Sequence, residues 1–145
     1  ARSIAHITYR SEYELTTRFG REPQPGENPL GGRGRYAVES YLDHHAAKLV
    51  RRFDAASYVR LTQAMNHHDV GRGRGGTAAA LAAVRARTLV VAIDSDRLFP
   101  PSLVEETARY VPDAAWHVAS SPVGHDAFLL AHPDLDEWIA RLLAS

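Results

Sequence analysis

The chain has 145 residues, enough for one domain with a sizeable core, and its formal net charge is zero. That balance gives no attraction to nucleic acid or an acidic membrane, and the absence of cysteine excludes a disulfide framework and thiol chemistry. No apolar run approaches the roughly 20 residues that span a bilayer, so a soluble, cytoplasmic, globular piece is expected.

The opening ARSIAHITYR lacks a methionine and is already amphipathic, which leads us to expect the middle of a longer protein. Ile4, Ile7 and Thr8 predict a first helix. Ser11 with Glu14 forms a capping box for a short second one. Residues 20–35 hold five glycines and three prolines and read as a long connecting loop. Val38, Tyr41, Leu42, Leu49, Val50 and Phe53 then recur mostly at three- and four-residue spacings, an amphipathic helix. Asp54 caps the next, whose inner face carries Tyr58, Leu61 and Met65. Gly71 to Gly76 break the pattern, and TAAALAAVRA resumes it from Thr77.

After residue 86 the period changes. TLVVAI (88–93) is apolar on both faces, as in a central strand of a parallel sheet. Ser102 and Glu105, just after two prolines, predict a capping box and a helix to about Tyr110. AWHVAS (115–120) is a second strand and PDLDEWIARLLA (133–144) a final helix. Strand–helix–strand–helix order is the mark of α/β architecture.

Ligands in open α/β sheets bind beyond the carboxyl ends of the strands. Asp94 and Asp96 lie at one such end, and SSPVGHD (120–126) follows the other. The 29 residues from Asp96 to His125 are enough for one crossover, so a carboxylate and an imidazole return to the same edge. That suits an aspartate orienting a histidine base, the last two members of a Ser…Asp…His triad. The plainer alternative is a strand-terminating turn and an ordinary loop histidine. Spacing does not separate Asp94 from Asp96. No G-x-S-x-G elbow occurs in the chain. Ser95, adjacent to the acid, does not fit that topology, so the serine of a real triad is expected upstream of residue 1.

IDSDRLFPP, with GHDAFLL after it and RFDAASYVRLTQAMNHHDVGRGRGG before it, resembles the C-terminal part of the homoserine O-acetyltransferase family, within the α/β-hydrolase superfamily. RSIAHITYRSE and RYAVESYLDHH resemble the family's helical lid. The resemblance implies a helical lid region over 1–85 and a C-terminal α/β-hydrolase core segment over 86–145. It matches Asp96 to the triad acid, His125 to the general base and Asp126 to the carboxylate that holds the amino group of homoserine. It matches Arg2 and Tyr9 to the residues that bind substrate near its carboxylate. It further implies acetyl-CoA as co-substrate, no cofactor, a homodimer built through lid helices, and a place in methionine biosynthesis. Homoserine is a zwitterion, so its site wants both a cation and an anion, and Arg2 and Asp126 supply the two signs. Spacing of seven puts Arg2 and Tyr9 on one helix face.

Three other readings carry less. His44–His45, His67–His68–Asp69 and His117 lack the i, i+4 spacing of helical zinc ligands, so no metal site is expected. GRGRGG (71–76) lacks the Lys-Ser/Thr of a phosphate loop; a connector is the plainer role, though Arg72 and Arg74 would suit CoA phosphates. A succinyl-transferring relative, acting on homoserine or serine, is the nearest alternative function. A plain esterase is disfavoured by the Arg2 and Asp126 pair, and a non-catalytic helical interaction module is the alternative from another class. The 145 residues alone are expected to be inactive in acyl transfer.

Overall fold

A computed structural model describes residues 1–144. Its contacts fall into two compact units, one of residues 1–67 and one beginning at His68. The break lies ahead of the change in sequence period near residue 86, because the short helix at 77–82 packs within the second unit.

The first unit is helical. Helices α1 (Arg2–Tyr9) and α2 (Glu12–Phe19) precede a pinned loop, followed by α3 (Ala37–Arg52) and α4 (Ala55–Asn66). Ser11 Oγ accepts the Glu14 amide at 3.1 Å, as its N-cap position predicts. The Glu14 carboxylate bonds Arg10 Nη1 at 2.6 Å, where a full capping box would return it to the N-cap amide. Asp54 Oδ2 caps α4 through the Ser57 amide at 2.7 Å. The glycine- and proline-rich loop is not slack. Glu27 accepts both the Arg35 amide at 2.6 Å and its guanidinium at 2.7 Å, and Arg35 O accepts the Gln24 amide at 2.9 Å.

Both α1 and α2 pack on α3. His6 is buried at 3% exposure, and its Nδ1 meets Tyr41 Oη at 2.9 Å. The His45 ring lies on His6 with centroids 4.2 Å apart, and Phe19 and the Arg18 guanidinium cover Tyr41. Burial pushes the His45 imidazole below its ordinary value of 6.5, helped by the positive charges of His44, Arg2, Lys48 and Arg10. The carboxylate at this cluster, Glu14, is engaged with Arg10 and Arg18. A histidine whose folded pKa is depressed gives its full stability above about 6.5, and loses it as pH falls toward the folded value. Denaturation measured at pH 8 and pH 5 is therefore expected to show a loss on acidification. His45→Phe, which keeps a ring but not the proton site, should show a smaller loss; equal losses would refute the assignment.

The second unit carries α5 (Thr77–Ala82), β1 (Leu89–Ile93), α6 (Pro101–Tyr110), β2 (Ala115–Ala119) and α7 (Pro133–Ala144). Strands β1 and β2 run parallel, with Leu89 opposite Ala115 and Ile93 opposite Ala119. Ala92 and Ile93 are consecutive and both buried, so the strand is covered on both faces at its carboxyl end, as its unbroken apolar run predicts. Among the described residues, β2 is its one strand partner. Ile93, Ala119 and Ala127 form the core, with Val91, Val123 and Trp138 against them.

One local expectation changes, and one connector takes a definite form. The helix α6 begins at Pro101, whose fixed φ and missing N–H suit the first helical position, and Pro100 takes the N-cap. Ser102 is therefore already inside the first turn and does not cap. In the 69–76 loop, Gly71 is required by contact: a Cβ there would lie 2.4 Å from the Thr77 amide nitrogen. The loop coils on Gly71, whose amide donates to Asp69 Oδ1 and whose carbonyl accepts the Arg74 amide. It is a compact turn leading into α5.

Candidate active site

Both strands end where the chain turns polar. The ladder runs one bond past β1, as the Asp94 amide donates to Ala119 O at 3.0 Å. Beyond it, Asp94, Ser95 and Asp96 each reach the loop that follows β2. Asp94 accepts from Ser120 Oγ at 2.7 Å and from the Ser121 amide at 2.9 Å. Ser95 Oγ donates to Ser121 O and accepts the Gly124 amide at 2.9 Å. Asp96 Oδ2 meets His125 Nδ1 at 2.8 Å.

Asp96 is 8% exposed, which by itself would raise its pKa. The hydrogen bonds from His125 and from the Phe99 and Leu98 amides outweigh that burial and hold the carboxyl below the usual carboxylate range. Those amides sit 2.8 Å (Leu98) and 3.0 Å (Phe99) from Oδ1, so each oxygen has its own task. An ionised carboxylate only accepts. The shared proton therefore sits on Nδ1 of His125, and Nε2 is the basic nitrogen. Asp94 follows the same logic: burial opposes its charge, and the bonds from Ser120 and Ser121 prevail to lower its pKa.

His125 opens a 3-10 turn, His125–Leu129, entered through Gly124 at φ 84°, a backbone conformation that favours glycine. Phe99 and Phe128 stand beside the imidazole, at centroid distances of 5.3 and 5.9 Å. With Val104 and Leu135 they line an apolar recess of about 250 Å³ that includes Asp96 and His125. A basic imidazole on an ionised carboxylate, at the wall of an apolar recess, is an arrangement able to take and return a proton.

The chain is 58% identical to a homoserine O-acetyltransferase of Thermobifida fusca, over 99% of its own length and 38% of the relative's. It is 55% identical to another from Clavibacter michiganensis subsp. michiganensis, with the same coverage. The chain is a homologue of homoserine O-acetyltransferases. It spans a little over a third of the length of these curated relatives. No protein-family model matches. Among solved structures, an acetylester hydrolase from Corynebacterium glutamicum matches at TM-score 0.74 and 25% identity, over 96% of this chain and 38% of that one. Esterase E22 matches at TM-score 0.77 and 17% identity, over 97% and 40%. The fold of this acetyltransferase homologue is thus a partial α/β-hydrolase fold.

Within the homologue's second unit, Asp96 and His125 meet, while the half-buried Asp126 lies on the first turn after Gly124 and does not line their recess. Within the first unit, Arg2 and Tyr9 share the face of α1, the guanidinium 6.0 Å from the ring centroid. They border a recess of about 310 Å³ with Arg52, Phe53, Tyr58 and Met65. Of the histidines considered as metal ligands, His67 Nδ1 meets Gln63 O at 2.8 Å and His117 stacks on Trp138 with centroids 4.3 Å apart. Among the described residues no group of three or more His, Cys, Asp or Glu gathers to hold a metal ion, and no helix is long and apolar enough to cross a membrane.

Sequence reasoning missed Phe99 and Phe128 beside the base, and gave Asp94 only a local turn. The one available signal for Asp94 was the pair of serines, Ser120 and Ser121, that opens the loop after the second strand.

Proposed function

We propose that this chain carries the acid–base half of a homoserine O-acetyltransferase, a cytoplasmic homodimer acting in methionine biosynthesis. The observation that supports it most directly is the Asp96–His125 pair, 2.8 Å apart at the carboxyl end of parallel strands, in a chain 58% identical to such an enzyme. The nucleophilic serine is supplied by sequence outside these 145 residues.

The reaction is double displacement. His125 Nε2 removes the serine proton as the hydroxyl attacks the thioester of acetyl-CoA, then returns a proton to the departing CoA thiolate. Homoserine enters, Nε2 takes its hydroxyl proton, and the acetyl group passes to that oxygen as the serine recovers its own. Asp96 supports the imidazolium in both halves. Arg2 and Tyr9 are assigned to the substrate carboxylate, and Asp126 to its ammonium. Lid helices exclude water from the acyl-enzyme and build the dimer.

Incubating the full-length enzyme with homoserine and either acetyl-CoA or succinyl-CoA tests the reading. O-acetylhomoserine should form in large preference to the succinyl ester. Preferential succinyl transfer, or bare hydrolysis of acetyl esters with no transfer to homoserine, would replace it.

A further inference from the structure

We infer that Ser95 is a positioning residue for the proposed base: its hydroxyl clasps the loop after β2 to the loop after β1 and so holds His125 on Asp96. This rests on the assignment of His125 as the base.

The hydroxyl has one proton, and it is directed to Ser121 O. Toward Gly124 it therefore acts as acceptor, receiving that residue's amide at 2.9 Å. With its proton committed to a backbone carbonyl and a lone pair to a backbone amide, Ser95 is a structural clamp and not a nucleophile. The position of the second bond gives it its importance. Gly124 immediately precedes His125, and its φ of 84° and ψ of −149° set the direction in which the 3-10 turn leaves the strand end. Tethering the Gly124 nitrogen fixes the point about which the imidazole swings.

The neighbouring bonds do different work. Asp94 fixes the loop further back, at Ser120 and Ser121, and Ser121 Oγ accepts the Val123 amide at 3.3 Å. Those contacts hold the loop's first half. Ser95 joins that half to the residue before the base. Without its hydroxyl, Gly124 can rotate and the Nδ1–Oδ2 contact lengthens for part of the time. A base displaced by even 1 Å costs about 100-fold in rate.

The test uses the full-length enzyme and two independent readouts. In Ser95→Ala, kcat is expected to fall about 10- to 100-fold with the KM for acetyl-CoA nearly unchanged, and Ser95→Thr should recover most of it. In the proton spectrum, the far-downfield Nδ1–H resonance, assigned by its loss in His125→Gln, should broaden in Ser95→Ala and sharpen again in Ser95→Thr. An unchanged resonance and unchanged kcat in Ser95→Ala would overturn the clasp. Should Ser95→Ala fail to fold, the equal-shaped pair Ser95→Thr and Ser95→Val decides: the clasp requires the resonance in the first and its loss in the second, and the same behaviour in both refutes it. Failure of the acyltransfer assignment itself would appear as no turnover in any variant, while the resonance still reports on Ser95.

Discussion

His125→Ala is expected to lower kcat of the full-length enzyme by about 10⁴- to 10⁶-fold, on the scale seen when a triad base is removed. Asp96→Asn should cost roughly 10⁴-fold for a more specific reason. The asparagine oxygen can keep the Leu98 and Phe99 amides that Asp96 Oδ1 now accepts. Its NH₂ then faces His125 Nδ1 where a carboxylate oxygen stood, so the ring must turn its lone pair toward it and carry its proton on Nε2. The turn survives and the tautomer is reversed. Steady-state kinetics with the circular dichroism spectrum as a control would show this as lost turnover in a folded protein. Turnover within tenfold of the parent in either variant would remove the Asp96–His125 pair from the mechanism.

Ala119→Leu should lower stability by about 2–3 kcal/mol, in the upper part of the range for overpacking. Ala119 is 0% exposed and closes β2 against Ile93 and Ala127, which are themselves buried. Three added carbons would press on the end of β1 and on the tight turn at His125–Leu129, neither of which can yield by a side-chain rotation alone. The urea midpoint should fall with little change in slope. An unchanged midpoint would mean that the core is looser than its burial indicates. Ser120 follows Ala119 directly, so the same substitution should also disturb the loop that leads to His125.

The parallel strand pair was legible because TLVVAI has no polar alternation, which only burial on both faces explains. The spacing brought one of the two strand-end carboxylates and His125 to the same sheet edge, since one crossover returns the chain there, and in the structure that carboxylate is Asp96. The start of α6 was misplaced because two signals compete there. Ser102 offers a hydroxyl, but Pro101 already satisfies the first helical position, and the proline prevails. The turn at His125–Leu129 was invisible because five residues are too few to display a helical period. Choosing Asp96 over Asp94 needed the family resemblance. In the structure both carboxylates are held below their usual range, so charge alone would not have chosen; what differs is that one faces two serines and the other an imidazole.

Asp94, Ser95 and Asp96 each bond to the loop after β2, in the same order along both segments. Such a zipper is sensitive to length as well as to identity. Inserting one residue between Ile93 and Asp94 would shift all three partnerships together, whereas a single substitution within the run disturbs one. This strand end should therefore tolerate replacement far better than insertion, and a graft of the site onto another scaffold would have to carry both loops as one piece.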